Sequence, residues 1–95
     1  MTMTACGYQQ IASTGLATAV GLTIPTTSQQ KPTQCIITCE TQAIRWRDDG
    51  VNPTATVGYP LAVGAELRYD GNLPAIRFIE QTASAVLNVS YYYGN

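Results

Sequence analysis

The chain has 95 residues, enough for one domain, with five basic residues, six acidic ones, no His and a formal net charge of −1. Its five cations, Lys31, Arg45, Arg47, Arg68 and Arg77, are too few and too scattered to neutralise a run of phosphates, which argues against nucleic acid. No apolar run approaches the ~18 residues of a membrane span, so no membrane partner is expected.

Only 12% of the residues are charged, against about 25% in an average domain. Thr, Ser, Gln, Asn and Gly must cover the surface instead. Such small neutral groups lose little on desolvation, which suits a contact surface as well as an ordinary sheet face. A chain this short buries only roughly 60–65% of its unfolded surface. Homo-oligomerisation, or docking on a larger body, would supply the remaining stability. The opening Met1-Thr2-Met3-Thr4-Ala5-Cys6-Gly7 has neither the basic start nor the apolar stretch of a signal peptide, so cytoplasmic synthesis of a soluble protein is expected.

Taken in chain order, Gly7 to Ile11 and Leu16 to Ile24 read as strands, separated by Ser13-Thr14-Gly15. Ala17, Ala19 and Gly21 are small enough to let the second run pack closely on a neighbour. Thr26 to Pro32 is a polar loop. From Thr33 to Glu40 the period is two: Cys35, Ile37 and Cys39 share one face, Thr38 and Glu40 the other. Gln42 to Arg47 turns Ile44 and Trp46 inward and Arg45 and Arg47 outward, which makes Trp46 a core residue. Gly50 to Pro60 is the longest loop, with Thr54 to Val57 a candidate short edge strand.

Ala65 to Tyr69 sets Leu67 and Tyr69 against Glu66 and Arg68. Pro74 to Glu80 places Ile76 and Phe78 on one face and Arg77 on the other. Ala85 to Tyr93 aligns Ala85, Leu87, Val89, Tyr91 and Tyr93, leaving Tyr92 to solvent or a partner. The runs are punctuated by Asp48-Asp49-Gly50, Asn52-Pro53, Gly58-Tyr59-Pro60, Asp70-Gly71-Asn72 and Gln81-Thr82. Asp-Gly between alternating strands is a strong hairpin mark. Ala43-Ile44-Arg45-Trp46 is echoed by Ala75-Ile76-Arg77-Phe78, as two strands in equivalent settings would be. No segment carries a capped helical period. The expectation is a single all-β domain over residues 1–95, a small antiparallel β-sandwich or barrel of about seven to eight strands.

Catalytic equipment is sparse. There is no His to act as a near-neutral base, no Gly-rich phosphate loop and no cluster of metal ligands, so neither enzyme activity, cofactor nor metal is expected. Asp48 and Asp49 sit in a turn, where Asp favours local backbone bonds; Glu40, Glu66, Asp70 and Glu80 are isolated. The glycosylation-type triplet Asn88-Val89-Ser90 falls inside a strand. Cys35 and Cys39, four residues apart on one strand, are separated by about 13 Å. A disulfide needs about 7 Å or less between Cα atoms, so these thiols are read, with Cys6, as small buried hydrophobes. The residues best placed to carry a contact are Tyr92, Arg45, Arg47 and Arg77, outward by alternation and of types enriched at binding hot spots.

Gln42 to Gly50 (QAIRWRDDG) followed by Pro53 to Gly58 (PTATVG) resembles a family of small bacteriophage and prophage structural proteins. Tyr69-Asp70-Gly71, Leu73, Ile76 to Ile79 and Ala85 to Tyr92 continue the likeness, which covers about residues 33–93. It implies a virion protein made in the host cytoplasm, with the major capsid protein or other virion proteins as partners. A capsid decoration (cement) protein stabilising the head shell is the leading reading. A neck, tail or fibre-attachment component, or a host-directed binding module, is the alternative.

Overall fold

Strict alternation becomes strand wherever one side of the chain has a core to face. The computed structural model describes residues 3–25 and 31–94. Eight strands run in order: β1 Met3–Ile11, β2 Val20–Gly21, β3 Gln34–Glu40, β4 Ile44–Arg47, β5 Tyr59–Leu61, β6 Glu66–Tyr69, β7 Arg77–Glu80 and β8 Val86–Gly94. They form two four-stranded antiparallel sheets, β1-β8-β3-β6 and β2-β7-β4-β5, and no α-helix occurs among the described residues.

The pairing has a simple logic. β1 pairs with β8, β2 with β7, β3 with β6 and β4 with β5, as if the chain were one long hairpin folded at the β4–β5 connection. Rolling that ribbon brings β3 against β8 and β4 against β7, closing the two sheets. This is the strand order of an eight-stranded jelly roll. The sandwich expected from the alternation is therefore what forms.

The core lies between the sheets. Cys35, Ile37 and Cys39 of β3 and Leu87, Val89 and Tyr91 of β8 face Ile44 of β4 and Phe78 of β7, all essentially without solvent contact. The buried Tyr91 hydroxyl donates to Gln9 Oε1 at 2.7 Å, and the Thr23 amide donates to the same oxygen at 3.0 Å. Gln9 so ties β1 to the crossover that leads away from it. Near by, the register of β1 shifts between Ala5 and Gly7. A Cβ at position 7 would stand 2.5 Å from Pro25 Cγ, so only glycine lets the crossover lie this close.

Several expectations change. Leu16 to Ile24 is no continuous strand: Ser13–Leu16 is a 3₁₀ turn that drops Leu16 wholly into the core, and only Val20–Gly21 pairs. The segment has to carry the chain from one sheet to the other: Val20, Leu22 and Ile24 still alternate toward the core, but only Val20 and Gly21 have a ladder partner, on β7. Thr54 to Val57 is a closed turn, not an edge strand, with amide-to-carbonyl bonds both ways (2.9 and 3.3 Å). The strand next to it, β5, lies where Tyr59-Pro60 reads as a turn; at a sheet edge Pro60 can lack an amide donor without breaking the ladder. Asp70-Gly71 makes no hairpin, because β6 and β7 belong to different sheets. Trp46 points inward but is only half buried, packed against the rim of the core between Tyr59 and Tyr69. The polar loop from Thr26 to Pro32 lies mostly outside the described residues. The echo between positions 43–46 and 75–78 has a plain origin: β4 and β7 are neighbours, with Trp46 opposite Phe78 inside and Arg47 opposite Arg77 outside.

Candidate functional site

The outer face of the β1-β8-β3-β6 sheet is built from the residues that alternate with the core. Its central row runs Tyr8, Ser90, Ile36, Arg68 across the four strands. The next row is Gln10, Asn88, Thr38, Glu66, and on the other side Tyr92 stands opposite both Ala5 and Gln34. Tyr8 is 62% exposed. One cluster of polar groups is already bonded together: the Tyr8 hydroxyl and the Gln10 amide (3.0 Å) both donate to Asn88 Oδ1, while Asn88 Nδ2 donates to Glu40 Oε2 at 3.0 Å. Side chains held this way need little further ordering on contact. A face on which Ile36 lies between Ser90 and Arg68, with Tyr, Asn and Gln in the adjoining positions and charge only on its edges, has the composition of an adaptable protein-contact surface.

The other sheet carries the arginines. Arg47 and Arg77 face each other across β4 and β7, with Arg45 one row further along. All three are half buried, and each is already engaged. Arg45 donates to the carbonyls of Ala55 (3.1 Å) and Gly58 (2.8 Å), pinning the loop between β4 and β5. Arg77 donates to the carbonyls of Pro74 (2.7 Å) and Ile76 (3.0 Å) and lies along Gly21. Arg47 makes a two-pronged pair with Asp49, its Nε at 3.0 Å from Oδ1 and its Nη2 bonded to Oδ2. That guanidinium holds the Asp49 carboxyl below its ordinary range, and the carboxylate raises Arg47 in return. Of the four contact candidates, Tyr92 is thus on one sheet and the three arginines are on the opposite one. A single flat partner does not reach all four.

A small cleft of about 390 Å³ opens at the end of β4, lined by Arg47, Asp48, Asp49, Val57, Gly58 and Tyr59. Tyr59 is 63% exposed. Its ring lies against Trp46 at 5.0 Å, and Trp46 meets Tyr69 edge-on at 6.0 Å. The Tyr69 hydroxyl donates to Asp48 Oδ2 at 2.7 Å. Desolvation, reinforced by that bond, pushes the Tyr69 hydroxyl up to about 12. Among the described residues no group of three or more His, Cys, Asp or Glu side chains is placed to hold a metal, and no helix is long and apolar enough to cross a membrane.

No family model, curated protein or solved structure matches this chain. The site therefore has to be read from its own chemistry. Alternation located Tyr92 but missed Tyr8, Ile36 and Asn88, whose significance lies in being neighbours across strands distant in sequence. Tyr59 was hidden inside what reads as a turn.

Proposed function

We propose that this chain is a non-enzymatic virion structural protein of a bacteriophage, and that it decorates the head shell by docking through the outer face of the β1-β8-β3-β6 sheet. The observation that carries this reading is the face itself. Four strands present Tyr8, Ile36 and Tyr92 beside a bonded Tyr8–Gln10–Asn88 cluster and the small polar Ser90 and Thr38, with charge confined to the margins. Aromatic anchors in a neutral, pre-ordered surround are what a protein partner rewards. The jelly roll adds support, since viral shell proteins use this architecture, although fold alone does not fix function. The resemblance over residues 33–93 to phage structural proteins points the same way. The major capsid protein is the proposed partner, with self-association within the shell as a further stabilising contact.

The test is stoichiometry in purified particles, measured against the major capsid protein by quantitative mass spectrometry. A copy number comparable with that of the capsid protein supports decoration. A trace amount, in the range of proteins present as one ring per particle, favours a neck, tail or fibre-attachment role. Absence from particles contradicts the virion reading and leaves a host-directed binding module.

A further inference from the structure

We propose that the cleft at the end of β4 is a binding site for a neutral pyranose sugar, independent of the docking face on the opposite sheet. Its volume of about 390 Å³ falls within the range of small-ligand sites, roughly 300–1,000 Å³. Three features of its lining select the ligand class.

The first is an exposed but immobilised ring. Tyr59 remains open to solvent, yet its orientation is held by Trp46 at 5.0 Å, and Trp46 is buttressed in turn by Tyr69. An aromatic face is electron-rich, and the C–H side of a pyranose carries the complementary partial positive charge. Because the ring is already fixed, stacking a ligand on it costs little side-chain entropy.

The second is a set of planar polar groups fixed beside that ring. Arg47 and Asp49 lock each other in a two-pronged pair while remaining 25% and 54% exposed. A guanidinium and a carboxylate in that arrangement offer adjacent donors and acceptors to vicinal hydroxyls, each of which both donates and accepts. Asp48 is held by Tyr69 through one oxygen.

The third is charge. The Asp49 carboxylate is balanced by Arg47 and the Asp48 carboxylate is held by a hydroxyl, so the lining offers no surplus cation for a phosphate or a uronate. With two carboxylates and no third ligand, it is no metal site either. One guanidinium against two carboxylates leaves the lining with an excess negative charge that repels an anion, whereas a neutral polyol can donate its hydroxyls to Asp48 and Asp49.

The wall of the cleft is rigid. Arg45 clamps the carbonyls of Ala55 and Gly58, and the Thr54–Val57 turn is closed on itself. Gly58 has φ +143°, and a Cβ there would stand 3.2 Å from Arg45 Cβ, Pro53 Cβ and the Trp46 carbonyl oxygen. A site formed before its ligand arrives binds with less loss on ordering.

Trp46 is the sole tryptophan and touches Tyr59, so its fluorescence reports on the cleft. The experiment titrates the full chain with methyl glucoside, methyl mannoside, N-acetylglucosamine and maltotriose, with calorimetry in parallel. The expected result is saturable binding of at least one of these sugars with Kd on the order of 1 mM. Tyr59→Ala and Asp49→Asn should each weaken it roughly tenfold or more. Should Tyr59→Ala not fold, Asp49→Asn carries the comparison, since Asp49 is exposed and outside the core. A trisaccharide that binds more tightly than the monosaccharides assigns the site to a polymer; equal affinities assign it to a free sugar. No saturable binding of any of the four, or binding that both variants retain at full strength, overturns the proposal. Docking through the other sheet is unaffected by that failure.

Discussion

Burial sets the behaviour of single groups here more than charge does. Desolvation pushes the Cys35 thiol up to about 11, and Cys39 is raised mainly for the same reason, with the nearby Glu40 carboxylate adding to it. Tyr69 moves up to about 12, again chiefly by desolvation, and the Tyr91 hydroxyl is raised further. Each of these acids keeps its proton longer in the folded protein than in the unfolded chain. Their stabilising effect is complete below the unfolded values, 9.0 for the thiols and 10.0 for the phenols, and is lost as pH climbs through the folded ones. The melting temperature should therefore hold near neutrality and fall at about pH 10.5; equal values at about pH 8 and about pH 10.5 would contradict this. The same burial predicts that a thiol reagent labels half-exposed Cys6 in the native protein, and Cys35 and Cys39 only after unfolding. Phe78, wholly buried, should cost about 3–5 kcal/mol as Phe78→Ala in a denaturant melt, and half-buried Trp46 less as Trp46→Ala. Alternation had marked both as inward. It could not say that Trp46 stands where the sandwich ends, because inwardness is a property of the strand and depth a property of the assembled layers.

At the scale of elements, the loop between β4 and β5 is the part most dependent on one side chain. Replacing Arg45 removes two hydrogen bonds to loop carbonyls, at about 0.5–1.5 kcal/mol each. Arg45→Ala should lower stability by that order and speed proteolysis within residues 48–58. A variant that melts and resists protease like the parent would show the clamp to be idle. Arg45 had looked like a free contact residue because alternation reports the side of a sheet and is blind to a loop folding back over it. The strands from β3 onward were legible because long runs of period two have one interpretation. β5 was not: three residues including a proline carry too little pattern. The turns were legible as turns but not as partners. Only β4 and β5 are consecutive strands in the same sheet, so Asp70-Gly71 serves a crossing between sheets where local chemistry suggested a hairpin.

The whole molecule is one ribbon rolled so that its two ends meet: β1 lies against β8, and Met3 is opposite Gly94. Most of its pairing joins strands far apart in sequence. Chains of this kind fold in milliseconds to seconds, not microseconds. Stopped-flow refolding followed by Trp46 fluorescence should give that range. The roll also separates two surfaces that composition alone had merged into one. The arginines with the cleft lie on one sheet, and the Tyr8–Ser90–Ile36 row lies on the other. That separation makes the docking claim testable with one substitution. Ser90 sits at the centre of the face, in register with Tyr8 and Ile36, and its side chain takes no part in the core. Ser90→Arg should leave the melting temperature close to that of the parent while placing a bulky charge where the partner must seat. Co-sedimentation with purified particles assembled without this chain is the most direct measurement. The parent should sediment with the particles, and Ser90→Arg should bind at least roughly thirtyfold more weakly, about 2 kcal/mol. A Ser90→Arg protein that binds like the parent, or a parent that never sediments with particles, would contradict the docking claim.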